Sequence, residues 1–233
     1  AATSSLSGGA GQNATQRKNK INIYNQMAQV LVGHDKDGNI QRFDIDGNLA
    51  DGAGKMNEVI FVNFARLLSK DEIKKGSFKL DLGVGGGYGA EGTSMAAQIR
   101  LTDTSGSDGY FVNSPSGEYG VLFASNLVGT PIKAGPTKTT EAAGLVYYQA
   151  GIAVLTASVF TSGSALGISA SVAGVPEIQM DVAGQTMDQA MTGSALSASC
   201  DNIRHRIANL QFNNTTELNS TIYFCRLNNN EFN

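Results

Sequence analysis

Polar and apolar residues alternate with period two along Ser77-Phe-Lys-Leu-Asp-Leu82, the pattern of a strand with one buried face. Similar β-prone runs occupy Glu58–Leu68, Ala96–Asp103 and Tyr119–Ala124, the first with a helical alternative for its second half. Leu145–Tyr148 and Ile152–Phe160 predict either two strands hinged at Ala150-Gly151 or one long bent strand. Ile21–Val32 fits helix and strand equally. Ser69 is placed to cap a short helix over Lys70–Lys75, with Gly76 as its stop. Further on, Met187, Met191, Leu196, Cys200, Ile203 and Ile207 recur at near-helical spacing and predict a helix over Gln185–Ile207. Ala208–Phe212 and Ser220–Arg226 then predict a hairpin about a turn at Asn213–Thr216.

These elements define a mainly β fold with a minor α component, α+β at most. The expected core is an antiparallel β-sandwich-like one with long loops, one helix in the C-terminal half and a β-hairpin after it. Residues 1–20, rich in Ser and Gly, read as a flexible N-terminal arm. Residues 21–233 read as a single β-rich domain, and the abrupt stop at Asn233 reads as a truncated C-terminus. Ala1–Lys20 contains no apolar segment of the kind a secretory signal needs.

Two Asp-Gly-Asn triplets, Asp37–Asn39 and Asp46–Asn48, flank one short strand candidate at Ile40–Asp44. Asp-Gly favours tight turns because the turn requires a positive φ. The surrounding carboxylates, Asp35, Asp37, Asp44, Asp46 and Asp51, also invite a calcium reading. Gly38 and Gly47 stand at the wrong offset for a helix-loop-helix calcium loop and no Glu closes it, so hairpin turns with Asp bonding its own backbone account for them better.

Composition narrows the function. Lys+Arg is 17 against Asp+Glu 20, a net charge of −3, so no basic excess drives sequence-independent nucleic-acid binding. Two cysteines, Cys200 and Cys225, make no disulfide framework. They either pair or stay free, and free burial as small core residues is the favoured reading. No charged residue occurs from Ala142 to Pro176, but Gln149, Gly151, Thr156 and Ser158 interrupt its apolar first half. A membrane span needs about 20 continuous apolar residues, so buried strands fit this stretch better. The stretch is equally a candidate for a domain core and for a subunit interface, whose centre is depleted in charge.

Motifs that look chemical lack their partners. Gly92-Thr-Ser-Met-Ala-Ala97 is similar to the serine motif of subtilisin-type proteases, but Gln98 stands where that family has Pro. A Ser94 nucleophile would also need a base and an orienting acid, and the two histidines, His34 and His205, lie in no such context. The Gly83–Gly89 run meets a loose dinucleotide pattern, yet Glu91-Gly92 follows where a helix N-terminus should face the phosphates. It reads as a loop. His205 reads as an exposed helix-end residue. The Asn-x-Ser/Thr triplets at Asn13, Asn213, Asn214 and Asn219 carry no meaning without a secretory context. The expectation is a non-enzyme, with no catalytic, cofactor-binding or metal-binding residue assigned and no membrane partner.

Two segments, Gly144–Leu155 and Phe212–Asn233, resemble parts of virion structural proteins of large tailed bacteriophages, especially the T4-like phages of cyanobacteria. The shared features are Tyr147-Tyr-Gln-Ala-Gly151 and the ending Asn229-Asn-Glu-Phe-Asn233. The resemblance covers about a third of the chain. It implies a particle component, in the tail or baseplate before the neck or capsid, whose partners are other virion proteins and further copies of itself. It implies no active site. The alternative is a surface adhesin or receptor-binding module, stabilised by a cation at Asp35–Asp51.

Overall fold

The computed structural model describes residues 14–49, 54–57, 59–84, 97–103, 111, 114–126, 142–156, 204, 207–216, 220–224 and 226. Among the described residues one long helix, α1 (Ala14–Leu31), precedes nine strands. These are β1 (Val59–Asn63), β2 (Glu72–Ile73), β3 (Lys79–Val84), β4 (Ala97–Thr102), β5 (Tyr119–Asn126), β6 (Ala142–Tyr147), β7 (Ile152–Thr156), β8 (Ile207–Gln211) and β9 (Asn214–Thr215). The fold is mainly β, and its antiparallel sheet curls as a half-barrel.

Seven strands form that sheet in the order β1-β7-β6-β5-β4-β3-β8, all neighbours antiparallel. Strands β3 to β7 are a meander, each pairing with the next in sequence. The chain segment before the meander supplies one edge, β1, and the segment after it supplies the other, β8. A second, two-stranded sheet joins β2 to β9. The layer opposite the main sheet comes from α1 and the turn-rich segment behind it.

Every residue of β6 is buried, as are the last four of β7. A strand covered on both faces tolerates no charge, which is why Ala142–Thr156 reads as an unbroken uncharged run. The two strands are separate and join through a turn at Tyr148–Gly151. Gly144 sits opposite Leu155, and a Cβ on it would collide with the backbone carbonyl of Val154. Among the described residues no helix is long and apolar enough to cross a membrane.

Aromatic rings tie the layers together. Phe111 stacks on Tyr119 (5.4 Å between centroids), Tyr119 on Tyr147 (5.1 Å), and Tyr147 meets the edge of Phe43 (6.4 Å). Phe43 in turn contacts Tyr24 of α1 (5.4 Å) and Phe61 of β1 (5.7 Å), both edge to face. Phe64, Phe78 and Phe212 make a second group, Phe64 lying 5.4 Å from each of the others. This ambiguous Ile21–Val32 stretch is helical because Tyr24, Ala28 and Leu31 fall on one helical stripe and all three are buried in the core. The Tyr24 hydroxyl donates to the Met56 carbonyl (2.6 Å) and accepts from the Phe43 amide (3.2 Å).

Three expectations change, and a fourth lies almost wholly outside the described residues. Residues 14–20 of the expected N-terminal arm belong to α1, while residues 1–13 lie outside the described residues. The short helix expected over Lys70–Lys75 is instead β2 and a turn. The Ile73 amide donates to the Tyr148 carbonyl and the Lys74 amide to the Asn213 carbonyl, so distant backbone takes the bonds a helix would have closed locally. The expected C-terminal hairpin does not form: β8 pairs with β3, and the expected turn at Asn213–Thr216 contains β9, which pairs with β2. Of the helix expected over Gln185–Ile207, only Arg204 and Ile207 are described. Arg204 is helical and Ile207 already opens β8.

Candidate assembly interface

Several motifs singled out above lie outside the described residues: Ser94, Gly85–Gly89, His205, Cys200 and Cys225. His34 is exposed and forms an isolated bridge with Ile40 around the first Asp-Gly-Asn turn. Of the candidate interface Ala142–Pro176, residues 142–156 are strands at the centre of this chain's own sheet, and residues 157–176 lie outside the described residues.

Of the Asp cluster, Asp51 lies outside the described residues, and Asp35 and Asp46 serve their own turns. Asp35 Oδ1 accepts from the amides of Asp37 (2.9 Å) and Asn39 (2.8 Å), and the Asn39 amide bond is the main reason its carboxyl sits below the usual range. Asp46 Oδ1 accepts from the Asn48 amide (2.9 Å). Gly38 and Gly47 carry φ of +81° and +79°, the conformation that the two triplets predict. Asp44 is fully buried and receives Lys55 Nζ at 2.7 Å; burial, with Asp46 close by, pushes its carboxyl up to about 6. Among the described residues no group of three or more His, Cys, Asp or Glu side chains is arranged to hold a metal ion.

Two further carboxylates bind strands together. Arg100 on β4 grips Asp81 on β3 with two bonds (Nε to Oδ1 2.7 Å, Nη2 to Oδ2 2.9 Å), and Asn209 on β8 adds a third at 3.3 Å. The Arg100 bonds hold the Asp81 carboxyl below its ordinary range. Asp103, just past β4, is buried and accepts from the Gly76 amide (2.7 Å), the Phe78 amide (3.1 Å) and the Tyr148 hydroxyl (3.0 Å). Burial raises its pKa against the pull of those donors.

A polar cleft of about 270 Å³ is lined by Lys74, Lys75, Gly76, Ser77, Lys79, Gln211 and Asn213. Its charge suits an anion, but Lys75 pairs with Glu118. The amides of Lys74, Gly76 and Ser77 already donate to Asn213, Asp103 and Lys74, so they form no set of donors aimed into the cleft.

The arrangement that points outward is at the sheet edges. Among the described residues β1 pairs with β7 and is the last strand of the sheet, and its Val59, Ile60, Phe61 and Val62 are all half-buried. It carries no charge or proline, the usual guards of an edge strand. The opposite edge, β8, exposes Ala208, Asn209 and Gln211. Beyond β9, Ser220–Phe224 belongs to no helix, strand or turn, and three consecutive large apolar side chains stand in solvent: Ile222 is 73% exposed, Tyr223 83% and Phe224 94%. The same residues predicted a strand, so their β character was legible. Their exposure was not.

No family model, no curated protein and no solved structure matches this chain.

Proposed function

We propose that this chain is a structural protein of a tailed-bacteriophage particle, in the tail or baseplate, working through subunit interfaces and not through turnover. The observation that carries the reading is the exposed run Ile222-Tyr223-Phe224. Contiguous exposed apolar surface of this kind marks a contact site in soluble proteins. Its residues are β-branched and aromatic, the types that pair as strands and anchor interfaces. The run also falls within Phe212–Asn233, one of the two segments that resemble virion proteins. The other, Gly144–Leu155, is the buried β6–β7 hairpin, a part of the fold that a shared framework would keep.

The test is the native mass of the purified chain by light scattering, with electron microscopy of the same sample. A defined ring or oligomer is the expected result. A chain that stays monomeric and fails to co-assemble when mixed with disassembled tail or baseplate components overturns the reading.

A further inference from the structure

We propose that the polar cleft between the β2–β3 and β8–β9 connections is a docking site for an acidic segment of a partner protein, whose carboxylates settle on Lys74 and Lys79. The contact does not depend on the assembly reading above.

The local sequence builds the cleft. Lys74, Lys75 and Lys79 fall within six residues, in a chain whose net charge is −3. Lys74 and Lys75 follow β2, and Gly76 turns the chain there with φ +75°. Leu80 and Leu82 of β3 are fully buried, and side chains alternate along a strand. Lys79 therefore lies on the opposite face from Leu80, beside its register partner Gln211 of β8. The walls are pinned to each other. The Lys74 amide donates to the Asn213 carbonyl (2.7 Å), and the Asn213 amide donates to Ser77 Oγ (3.0 Å). A ligand finds the backbone already in place, which lowers the entropy lost on binding.

Among the described residues no carboxylate pairs with Lys74 or Lys79. Asp81, on the same face of β3 as Lys79, is held by Arg100 and Asn209. Glu118 pairs with Lys75. That pair displays the proposed chemistry within the chain itself: a side-chain carboxylate reaches the rim of the cleft and a lysine holds it.

Other ligand classes fit less well. The lining is Lys, Gly, Ser, Gln and Asn, with none of the apolar wall that small-molecule pockets present. It holds no aromatic ring on which a base could stack, and the net charge of the chain opposes a nucleic-acid strand. Phosphate sites favour converging backbone amides or the arginine fork, but the amides of Lys74, Gly76 and Ser77 are already taken and no arginine lines the cleft. Separate ammonium groups flanked by the side-chain amides of Gln211 and Asn213 suit separate carboxylates along an extended acidic chain.

The experiment uses the full chain and a fluorescent hexaglutamate peptide, followed by anisotropy, with hexaglutamine as the uncharged counterpart. Hexaglutamate should bind saturably at low salt and hexaglutamine should not. Raising the salt from about 20 mM to about 300 mM should weaken binding severalfold. Lys74→Glu/Lys79→Glu should weaken it at least about tenfold, because like charges then face each other. Lys36→Glu reverses an exposed lysine on the first Asp-Gly-Asn turn and should leave it unchanged. Glu118→Gln should tighten binding about twofold to fivefold, since it frees Lys75. In ¹⁵N spectra the peptide should shift the amides of residues 74–79 and 211–213.

Absence of saturable binding by the wild type overturns the proposal. So does a reversal variant that folds, as judged by thermal unfolding, and binds as well as the wild type. Displacement of hexaglutamate by an equal concentration of inorganic phosphate overturns it in favour of a free-anion site, and tighter binding of oligo(dT) at the same amides overturns it in favour of a nucleic-acid strand. If the reversal variant fails to fold, Lys74→Gln/Lys79→Gln takes its place: undiminished binding, or amide shifts confined to other residues, overturns the proposal.

Discussion

The Tyr148 hydroxyl donates to Asp103 Oδ2 at 3.0 Å, joining the β6–β7 turn to the residue just past β4. Asp103 also accepts from the Gly76 and Phe78 amides, so one buried carboxylate collects three donors from two parts of the chain, the β2–β3 connection and the β6–β7 turn. Tyr148→Phe removes a single donor to a charged group and should cost about 1–3 kcal/mol. Asp103→Ala leaves two backbone amides and a phenol without their acceptor and should cost more, about 2–4 kcal/mol. Urea unfolding of the three proteins gives both values. Equal losses, or none, would refute this account of the junction.

The pH dependence of stability should carry the mark of Asp44. Burial raises its carboxyl from 3.8 to about 6, so the folded state binds this proton more tightly than the unfolded chain does. The contribution of Asp44 is therefore most favourable below about pH 4 and declines as pH rises through about 6. Asp44→Asn removes the titration. The stability of wild type minus that of Asp44→Asn should fall between pH 4 and pH 7, measured as paired denaturant midpoints. A difference that is flat or rises across this window contradicts the assignment.

Arg100→Met tests the strand clamp. It leaves the buried Asp81 carboxylate with Asn209 as its remaining side-chain donor, at 3.3 Å. Because Arg100 is partly exposed, the loss should be moderate, about 1–2 kcal/mol, and not the larger cost of breaking a fully buried pair. The loss should shrink in acid, since Asp81 is held below its ordinary pKa and its stabilising contribution disappears as pH falls and the carboxylate takes up a proton. Chemical denaturation at two pH values checks both statements; a loss that grows in acid would count against them.

Gly144→Ala probes the β6–β7 hairpin. The added methyl meets the Val154 carbonyl, a backbone atom that has no rotamer with which to escape. The strands must move apart at the centre of the sheet, at a cost of about 2–3 kcal/mol. Calorimetry should show a lower unfolding midpoint, and an unchanged midpoint would mean that the close approach is absent.

Much of the fold was legible where the pattern was local. Ser77–Leu82 alternates because one face of β3 meets the core, and the uncharged run from Ala142 is uncharged because β6 is covered on both faces. The two Asp-Gly-Asn triplets form turns because their chemistry is complete within four or five residues. Ile21–Val32 was balanced between helix and strand, and burial of Tyr24, Ala28 and Leu31 on one stripe decided it. The candidate interface was half legible. Ser220–Arg226 announced β character, but the expected pairing with Ala208–Phe212 lost to β3.

By itself the sequence determined the mainly β class, the antiparallel habit, the positions of most strands and the tight turns, because periodicity and turn chemistry act over a few residues. The tertiary structure alone decided which strands pair. β8 joins β3 across more than a hundred residues, the amides of Ile73 and Lys74 find their acceptors at Tyr148 and Asn213, and β1 becomes the apolar last strand of the sheet among the described residues. Backbone donors and acceptors are identical at every position, so a strand's partner is chosen by which faces bury together, and that choice exists only once the layers are assembled.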